Sequence, residues 1–357
     1  MRRYEIAVIP GDGIGREVIP AGMDVLDACL DCVGSAELKW QRFDWNCEHY
    51  LRTGRLMPEN ALSTLAQFDA IYLGAVGYPG VPDHISLWGL LLPIRQAFDQ
   101  YVNLRPVRLL PGVRGPLRDR AERDIDFVCI RENTEGEYAG AGGRAHRGLP
   151  DEVVVQTAIF TRKGTERIIR YAFEYARKHG RRTVQSATKS NAINHSMVFW
   201  DEVFEEVAED YPEIAAERYH VDALAARFVT HPQTLDVIVC SNLFGDILTD
   251  LGGALQGSLG IPASANLDPE RRCPSMFEPV HGSAPDIAGK GIANPIGAIW
   301  AGAMMLEHLG EAEAAQLVVR SLEETCRQGT VFTRDLGGVA STQDFAKATI
   351  QAMRQSV

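Results

Sequence analysis

The chain has 357 residues, 36 Lys+Arg against 47 Asp+Glu for a formal net charge of −11, 45% hydrophobic and 23% charged residues, and seven cysteines. At about 100–200 residues per domain this length implies two domains, and the composition excludes a disordered, collagen-like or coiled-coil chain. The acidic balance argues against non-specific binding to nucleic acid or anionic membrane, yet a local arginine cluster can still invert the field for a small acid.

In chain order, apolar β-branched runs alternate with helical patterns, which predicts an α/β class with a mostly parallel sheet. Ile6–Ile9 reads as a buried first strand, too short for a signal-peptide core. Arg16–Cys32 follows as an amphipathic helix, with Val18, Ile19, Gly22, Val25, Leu26 and Cys29 on one face. Ala70–Leu73 is the second predicted strand and ends in the loop 74–80. Ile125–Ile130 and Val153–Thr161 read as strands flanking a turn rich in glycine (Gly140, Gly142, Gly143). Helical stretches are predicted at Thr165–His179 and Asn191–Ala208, and a short strand at Val237–Cys240 runs straight into Asn242–Leu255. The longest apolar stretch, near Ile296–Leu306, is broken by Gly297 and Gly302 and is too short to span a bilayer. Scattered cysteines without a signal peptide fit a reducing compartment, so a cytoplasmic protein is expected. No flexible linker separates the domains, which allows one domain to be assembled from both chain ends.

Three patterns imitate motifs. Gly11-Asp12-Gly13-Ile14-Gly15-Arg16 follows a strand, but the dinucleotide fingerprint needs its third glycine where Arg16 stands. Gly289-Lys290 lacks the first glycine and the hydroxyl residue of a phosphate loop. Cys29-x-x-Cys32 sits late in a helix, where the dipole raises a thiol's pKa, and reads better as one side of an amphipathic helix.

The chemistry is carried by three groups of residues. Arg95, Arg105 and Arg131 each stand against apolar or turn residues, where arginine is expensive unless it meets an anion. Singly, each reads as a structural ion pair; together they suit a dicarboxylate or tricarboxylate. Asp246 and Asp250 are spaced i, i+4, which on a helix puts two carboxylates on one face about 6 Å apart at Cβ. A hard cation such as Mg²⁺ or Mn²⁺ would explain the repulsion; a capping Asp246 with a solvated Asp250 is an equal reading of those residues alone. Asp222 is a further acid in apolar company. Tyr138 and Lys189 are candidate proton carriers, both with reference pKa values near ~10 that a nearby cation and desolvation would have to lower.

Taken together, Pro10–Gly15, Asn242–Asp250, Glu278–Ile287 and Phe332–Gly338 resemble the β-decarboxylating dehydrogenases, the family of isopropylmalate, isocitrate, homoisocitrate and tartrate/D-malate enzymes. The resemblance runs over nearly the whole chain. It implies an isopropylmalate/isocitrate dehydrogenase-like fold, not a Rossmann fold: two domains sharing a mixed central sheet. One would comprise 1–103 plus 256–357 and carry the cofactor loop; the other, 104–255, would carry the metal, substrate and dimer contacts, with the active site in the cleft. It also implies that Arg95, Arg105 and Arg131 grip the carboxylates, and that Asp222, Asp246 and Asp250 hold the metal. Lys189 would be general base, and Tyr138 would protonate the enolate carbon. In the family, the positions of Lys189 and Asp222 reach into the neighbouring subunit's site, so a homodimer with two shared active sites is expected.

The same resemblance assigns His281, Gly282, Ser283, Ala284, Asp286 and Ile287 to the adenosine loop, with Asn294 on adenine and Glu278 and Asn191 as further cofactor contacts. A carboxylate at Asp286 repels a 2′-phosphate, which predicts NAD over NADP. Specificity in the family is set ahead of Arg95, in Ser86-Leu87-Trp88-Gly89-Leu90-Leu91-Leu92-Pro93-Ile94-Arg95. Isocitrate enzymes carry serine and asparagine at the positions of Gly89 and Leu91, so a third carboxylate would go unpaired here. Trp88 replaces the glutamate of isopropylmalate enzymes, while Leu91 and Leu92 keep their apolar character. The phrase Gly80–Gly89 is most similar to the tartrate/D-malate branch, in which K⁺ assists. The expected activity is oxidation and oxidative decarboxylation of a four-carbon 2-hydroxy diacid. The alternatives are an isopropylmalate dehydrogenase and, remotely, a non-catalytic regulatory subunit.

Overall fold

The computed structural model describes residues 2–356. From the N-terminus come β1 (Arg2–Gly11), α1 (Gly15–Val33), β2 (Ala36–Arg42), α2 (Cys47–Thr53), α3 (Ala61–Leu65) and β3 (Ala70–Ala75). Next are α4 (Asp83–Ser86), a π-helical turn (Leu87–Leu91), α5 (Leu92–Ala97), β4 (Val102–Arg108), β5 (Asp126–Glu132), β6 (Gly136–Ala145) and β7 (Val153–Ile159). Then follow α6 (Arg162–Lys178), β8 (Thr183–Thr188), α7 (Ser196–Ala208), β9 (Ala215–His220), α8 (Val221–Thr230), β10 (Val237–Cys240) and α9 (Asn242–Leu255). The chain finishes with β11 (Ala263–Leu267), β12 (Ser275–Pro279), α10 (Ile296–Leu309), α11 (Ala312–Gln328) and α12 (Thr342–Ser356).

These elements form two compact units: Met1–Gln100 with Arg108–Ile125 and Gly253–Val357, and Tyr101–Val107 with Asp126–Gly252. The stretch 108–125 groups with the chain ends, although nothing in its composition separates it from the central segment.

In the first unit the strands lie in the order β2-β1-β3-β12-β11. All neighbours are parallel except β11, which runs antiparallel to β12. α1 buries the face expected of it, Val18, Ile19, Gly22, Val25, Leu26 and Cys29. α10 is buried on nearly every side, as an apolar helix without a polar face must be. The one polar group that β3 carries into this layer is satisfied: Tyr72 donates to the Ala298 carbonyl at 2.6 Å. Ile9, Leu73, Leu90, Ile94 and Phe98 join Trp45 in a second apolar cluster.

In the second unit the order is β4-β5-β10-β8-β9, with β5, β10, β8 and β9 mutually parallel. Trp200 and Phe204 of α7, spaced i, i+4, are fully buried, and the Trp200 indole donates to Ser186 Oγ at 2.9 Å. β6 and β7 form a separate antiparallel ribbon.

Several expectations need correction. Ala36–Arg42 is a strand that its mixed composition conceals, so Ala70–Ala75 is the third strand. The glycines at 140, 142 and 143 lie within β6, not in a turn, and the ladder shifts register between Gly136 and Ala141. The helix placed at Asn191 starts at Ser196. Cys29 is pushed up to about 12, but chiefly because burial disfavours the thiolate, not by the helix dipole. All seven cysteines are free. Among the described residues, no helix is long and apolar enough to cross a membrane.

Candidate active site

In the second unit the short buried strand β10 delivers the chain into α9, and α9 carries the acids. Arg131, at the end of β5, is only 2% exposed and runs along the first turns of α9. Its Nε and Nη2 donate to Asn242 Oδ1 at 3.1 and 2.7 Å, and its Nη1 donates to Asp246 Oδ1 at 2.5 Å. Gly245 makes this possible. A Cβ there would stand 2.5 Å from Arg131 Cγ, so the helix accepts glycine at a cost of about 1 kcal/mol to let the arginine pass.

The Tyr138 hydroxyl donates to the other oxygen of Asp246 at 2.9 Å, and the Arg131 guanidinium lies 5.6 Å from the Tyr138 ring centre. Burial, then the Asp246 anion, raises the Tyr138 pKa, against the lowering pull of Arg131. The expectation that desolvation would help Tyr138 therefore has the wrong sign, because burying a phenol disfavours its anion. Arg105, on β4, donates to Thr249 Oγ1 at 2.6 Å and stands 3.9 Å from Asp250. One face of α9 thus presents Asp246, Thr249 and Asp250 to two buried arginines and a phenol.

Lys189 and Asp222 form a second, more open pair: Lys189 Nζ donates to Asp222 Oδ1 at 2.6 Å. That hydrogen bond is the main reason the Asp222 carboxyl titrates below its usual range. Asn191 lies in an exposed turn just beyond Lys189. Among the described residues no three His, Cys, Asp or Glu side chains converge on one point. Asp222 therefore stands with Lys189, apart from Asp246 and Asp250. The latter two fit a hard divalent cation in donor chemistry, supplying carboxylate oxygens on one helical face, but they are two ligands of a set that needs more.

In the first unit, Arg95 on α5 donates to Glu278 Oε1 at 2.8 Å, and Asn266 Nδ2 donates to the same oxygen at 2.8 Å. Arg95 Nε is buried with no partner, an unmet donor of the kind an incoming carboxylate would satisfy. Glu278 is turned onto these two groups. In the first turn of α5, Pro93 cannot donate to the Gly89 carbonyl and its ring would crowd it. The turn widens, and Leu92 N–H reaches back to Leu87 O across a π-helical turn. Trp88 in this turn is 43% exposed, Leu91 packs partly on the core and Leu92 is buried. A side chain at Gly89 would meet Leu56 Cδ1 at 2.3 Å, so a serine placed there would face a leucine.

The loop after β12 is anchored close to the N-terminal turn. Gly13 has φ of 52°, and a Cβ on it would lie 1.9 Å from the Ser283 carbonyl oxygen. The glycines at 11, 13 and 15 thus serve close packing of backbone on backbone. Ser283 O accepts from Ile14 N at 2.9 Å, and Ala284 takes a left-handed φ of 41°. Asp286 and Gly282 are exposed and Ile287 half-buried. Burial lowers the His281 pKa and keeps the imidazole neutral. Asn294 is held by Asp335, accepting at 2.9 Å, and by Ile296 N. A cleft of about 700 Å³ lies between residues 76–83 and Gly282, Ser283 and Pro285. Gly77 in its lining is held by Asp12, whose buried carboxylate accepts from Cys47 N and Gly77 N.

Sequence reasoning missed the supporting residues Asn242, Thr249, Asp12 and Asn266. Their only signal was a polar side chain in apolar company: Asp12 and Asn242 just beyond buried strands, Asn266 within β11 and Thr249 within α9.

The family model of isocitrate/isopropylmalate dehydrogenase matches residues 5–349. A probable tartrate dehydrogenase/decarboxylase of Agrobacterium vitis is 53% identical over 356 residues, covering 100% of this chain and 98% of that protein. The D-malate dehydrogenase (decarboxylating) of Escherichia coli strain K12 is 54% identical over 355 residues, covering 98% of each. The crystal structure of isocitrate dehydrogenase from Methylococcus capsulatus superposes with a TM-score of 0.88 at 36% identity, covering 99% of this chain and all of that one. With its α/β architecture and the acidic helix α9 in place, the chain belongs to the isocitrate/isopropylmalate dehydrogenase family.

Proposed function

We propose that this dehydrogenase, acting on a CH–OH group, oxidises and decarboxylates a four-carbon 2-hydroxy diacid, D-malate or a tartrate, with NAD⁺ and Mn²⁺ or Mg²⁺. The observation that carries the reading is the face of α9, where Asp246 and Asp250 stand beside buried Arg131 and Arg105 and the Tyr138 hydroxyl. When bound, the cation supplies polarisation of the oxygen on C2, and NAD⁺ supplies the hydride acceptor. Asp246 and Asp250 would hold the cation, with Asp222 of a second copy completing the set. Arg95, Arg105 and Arg131 would take the carboxylates. Lys189 would accept the hydroxyl proton, and Tyr138 would deliver a proton to C3 as CO₂ leaves. K⁺ is proposed as an assisting cation, with no residue assigned to it.

The loop 281–287 would take the adenosine, with Asp286 on the ribose, Asn294 on adenine and Asn191 and Glu278 as further contacts. Trp88, Leu91 and Leu92 would shape an apolar wall, and the lack of polar side chains at Gly89 and Leu91 to meet a third carboxylate supports a small diacid over isocitrate. A homodimer is supported by the β6–β7 ribbon. A two-stranded ribbon is marginal alone, and this one leaves Val153, Val154, Val155 and Ile159 exposed, which a second copy would cover. The test is product stoichiometry. D-malate with NAD⁺ and Mn²⁺ should yield one pyruvate and one CO₂ per NADH, and NADH without CO₂ would refute decarboxylation of that substrate.

A further inference from the structure

The loop 281–291 is an exposed arc, and something must hold its shape for Asp286 to meet a ribose. Its start is fixed at Ser283, whose carbonyl oxygen accepts from Ile14 N. Its end is fixed by a single side chain from the first turn of α1. Glu17 Oε1 accepts from Gly289 N at 2.5 Å, and Glu17 Oε2 accepts from Gly291 N at 2.7 Å. Charge-assisted bonds of this kind are about twice as strong as neutral ones. Gly291 is in turn fastened to the start of α12, its carbonyl oxygen accepting from Thr342 N at 2.9 Å. An acid in the first turn of a helix also complements the dipole. That role does not require both oxygens to be committed to amides of another segment.

We infer that Glu17 is a positioning residue for the cofactor: it clamps the far end of the loop and so fixes the Asp286 carboxylate between two anchors. The inference rests on reading this loop as the adenosine site. Loosening the clamp should weaken NAD⁺. It should also shrink the preference for NAD over NADP, because a mobile Asp286 no longer holds its charge against a 2′-phosphate.

The experiment compares the full chain with Glu17→Ala and Glu17→Gln, by amide hydrogen exchange without cofactor and by NAD⁺ and NADP⁺ titration. In E17A, exchange at Gly289 and Gly291 should speed up about tenfold or more, and NAD⁺ affinity should fall about tenfold. The KM for NAD⁺ should rise with it, and the NAD/NADP ratio should fall, while kcat at saturating cofactor and the KM for the hydroxy acid change less than about twofold. E17Q, which retains one acceptor oxygen, should be intermediate. Unchanged exchange at 289 and 291, or faster exchange with unchanged NAD⁺ affinity, would overturn the inference. So would a parallel loss of kcat and both KM values, the mark of general damage. Failure of the adenosine reading is told apart with Asp286→Lys and Ile287→Tyr in the otherwise unmodified chain, which would then leave the NAD/NADP ratio unchanged, and the inference would fall with it.

Discussion

Arg131 carries its charge into the interior because Asn242 and Asp246 meet it and Gly245 makes room. Its residue type and its place at a strand end were legible in the sequence. Its partners were not, because they come from a helix more than a hundred residues away. The same limit applies to Arg95 and Glu278. Removing one partner of a buried pair strands the other charge, so Glu278→Ala should cost about 3–5 kcal/mol by denaturant unfolding, and Glu278→Gln distinctly less. A loss below about 1 kcal/mol would show that Arg95 finds its anion elsewhere. For Tyr138, burial and the Asp246 anion both oppose ionisation. The tyrosine that Tyr138→Phe removes from a spectroscopic titration should ionise above the usual ~10 in the metal-free chain and move down when Mn²⁺ is added. Ionisation at or below ~10 without metal would contradict the geometry. If Tyr138 delivers the proton to C3, the same variant should lose about 10²–10⁴ in kcat for decarboxylation.

At the scale of elements, periodicity located α1, β10 and α9 well, because each buries a continuous apolar face or run. It failed for β2, where charged and apolar residues mix, and for β6, whose glycines imitate a turn. The π-helical turn was foreshadowed only by Pro93. The loop 281–291 was legible through resemblance alone, since its backbone bonds to Ile14 and Glu17, far away in sequence. Asp286→Lys with Ile287→Tyr should shift preference toward NADP, and an unchanged NAD/NADP ratio of kcat/KM would remove Asp286 from its assigned role. For the β6–β7 ribbon, Val154→Asp with Val155→Asp should lower the sedimenting mass from dimer to monomer. An unchanged dimer would place the interface elsewhere.

For the whole molecule, a net charge of −11 coexists with buried arginines that await or already hold anions. The acidic balance disfavours polyanions, while inside the second unit the buried Arg105 and Arg131 stand beside the acids of α9. Composition alone could not show this, because it averages over the chain and the site uses a few residues. Asp222 and Lys189 are paired with each other, as the proposed dimer with shared sites requires of residues given to a second copy. Oxidation of a hydroxy diacid with NAD⁺ is measured most directly as NADH formation with Mn²⁺ and K⁺ from D-malate, the tartrates, 3-isopropylmalate and isocitrate at matched concentrations. The highest kcat/KM should belong to D-malate or a tartrate. A tenfold or greater advantage for 3-isopropylmalate would contradict the reading of Trp88 and make the chain an isopropylmalate dehydrogenase, and isocitrate as best substrate would contradict the reading of Gly89 and Leu91.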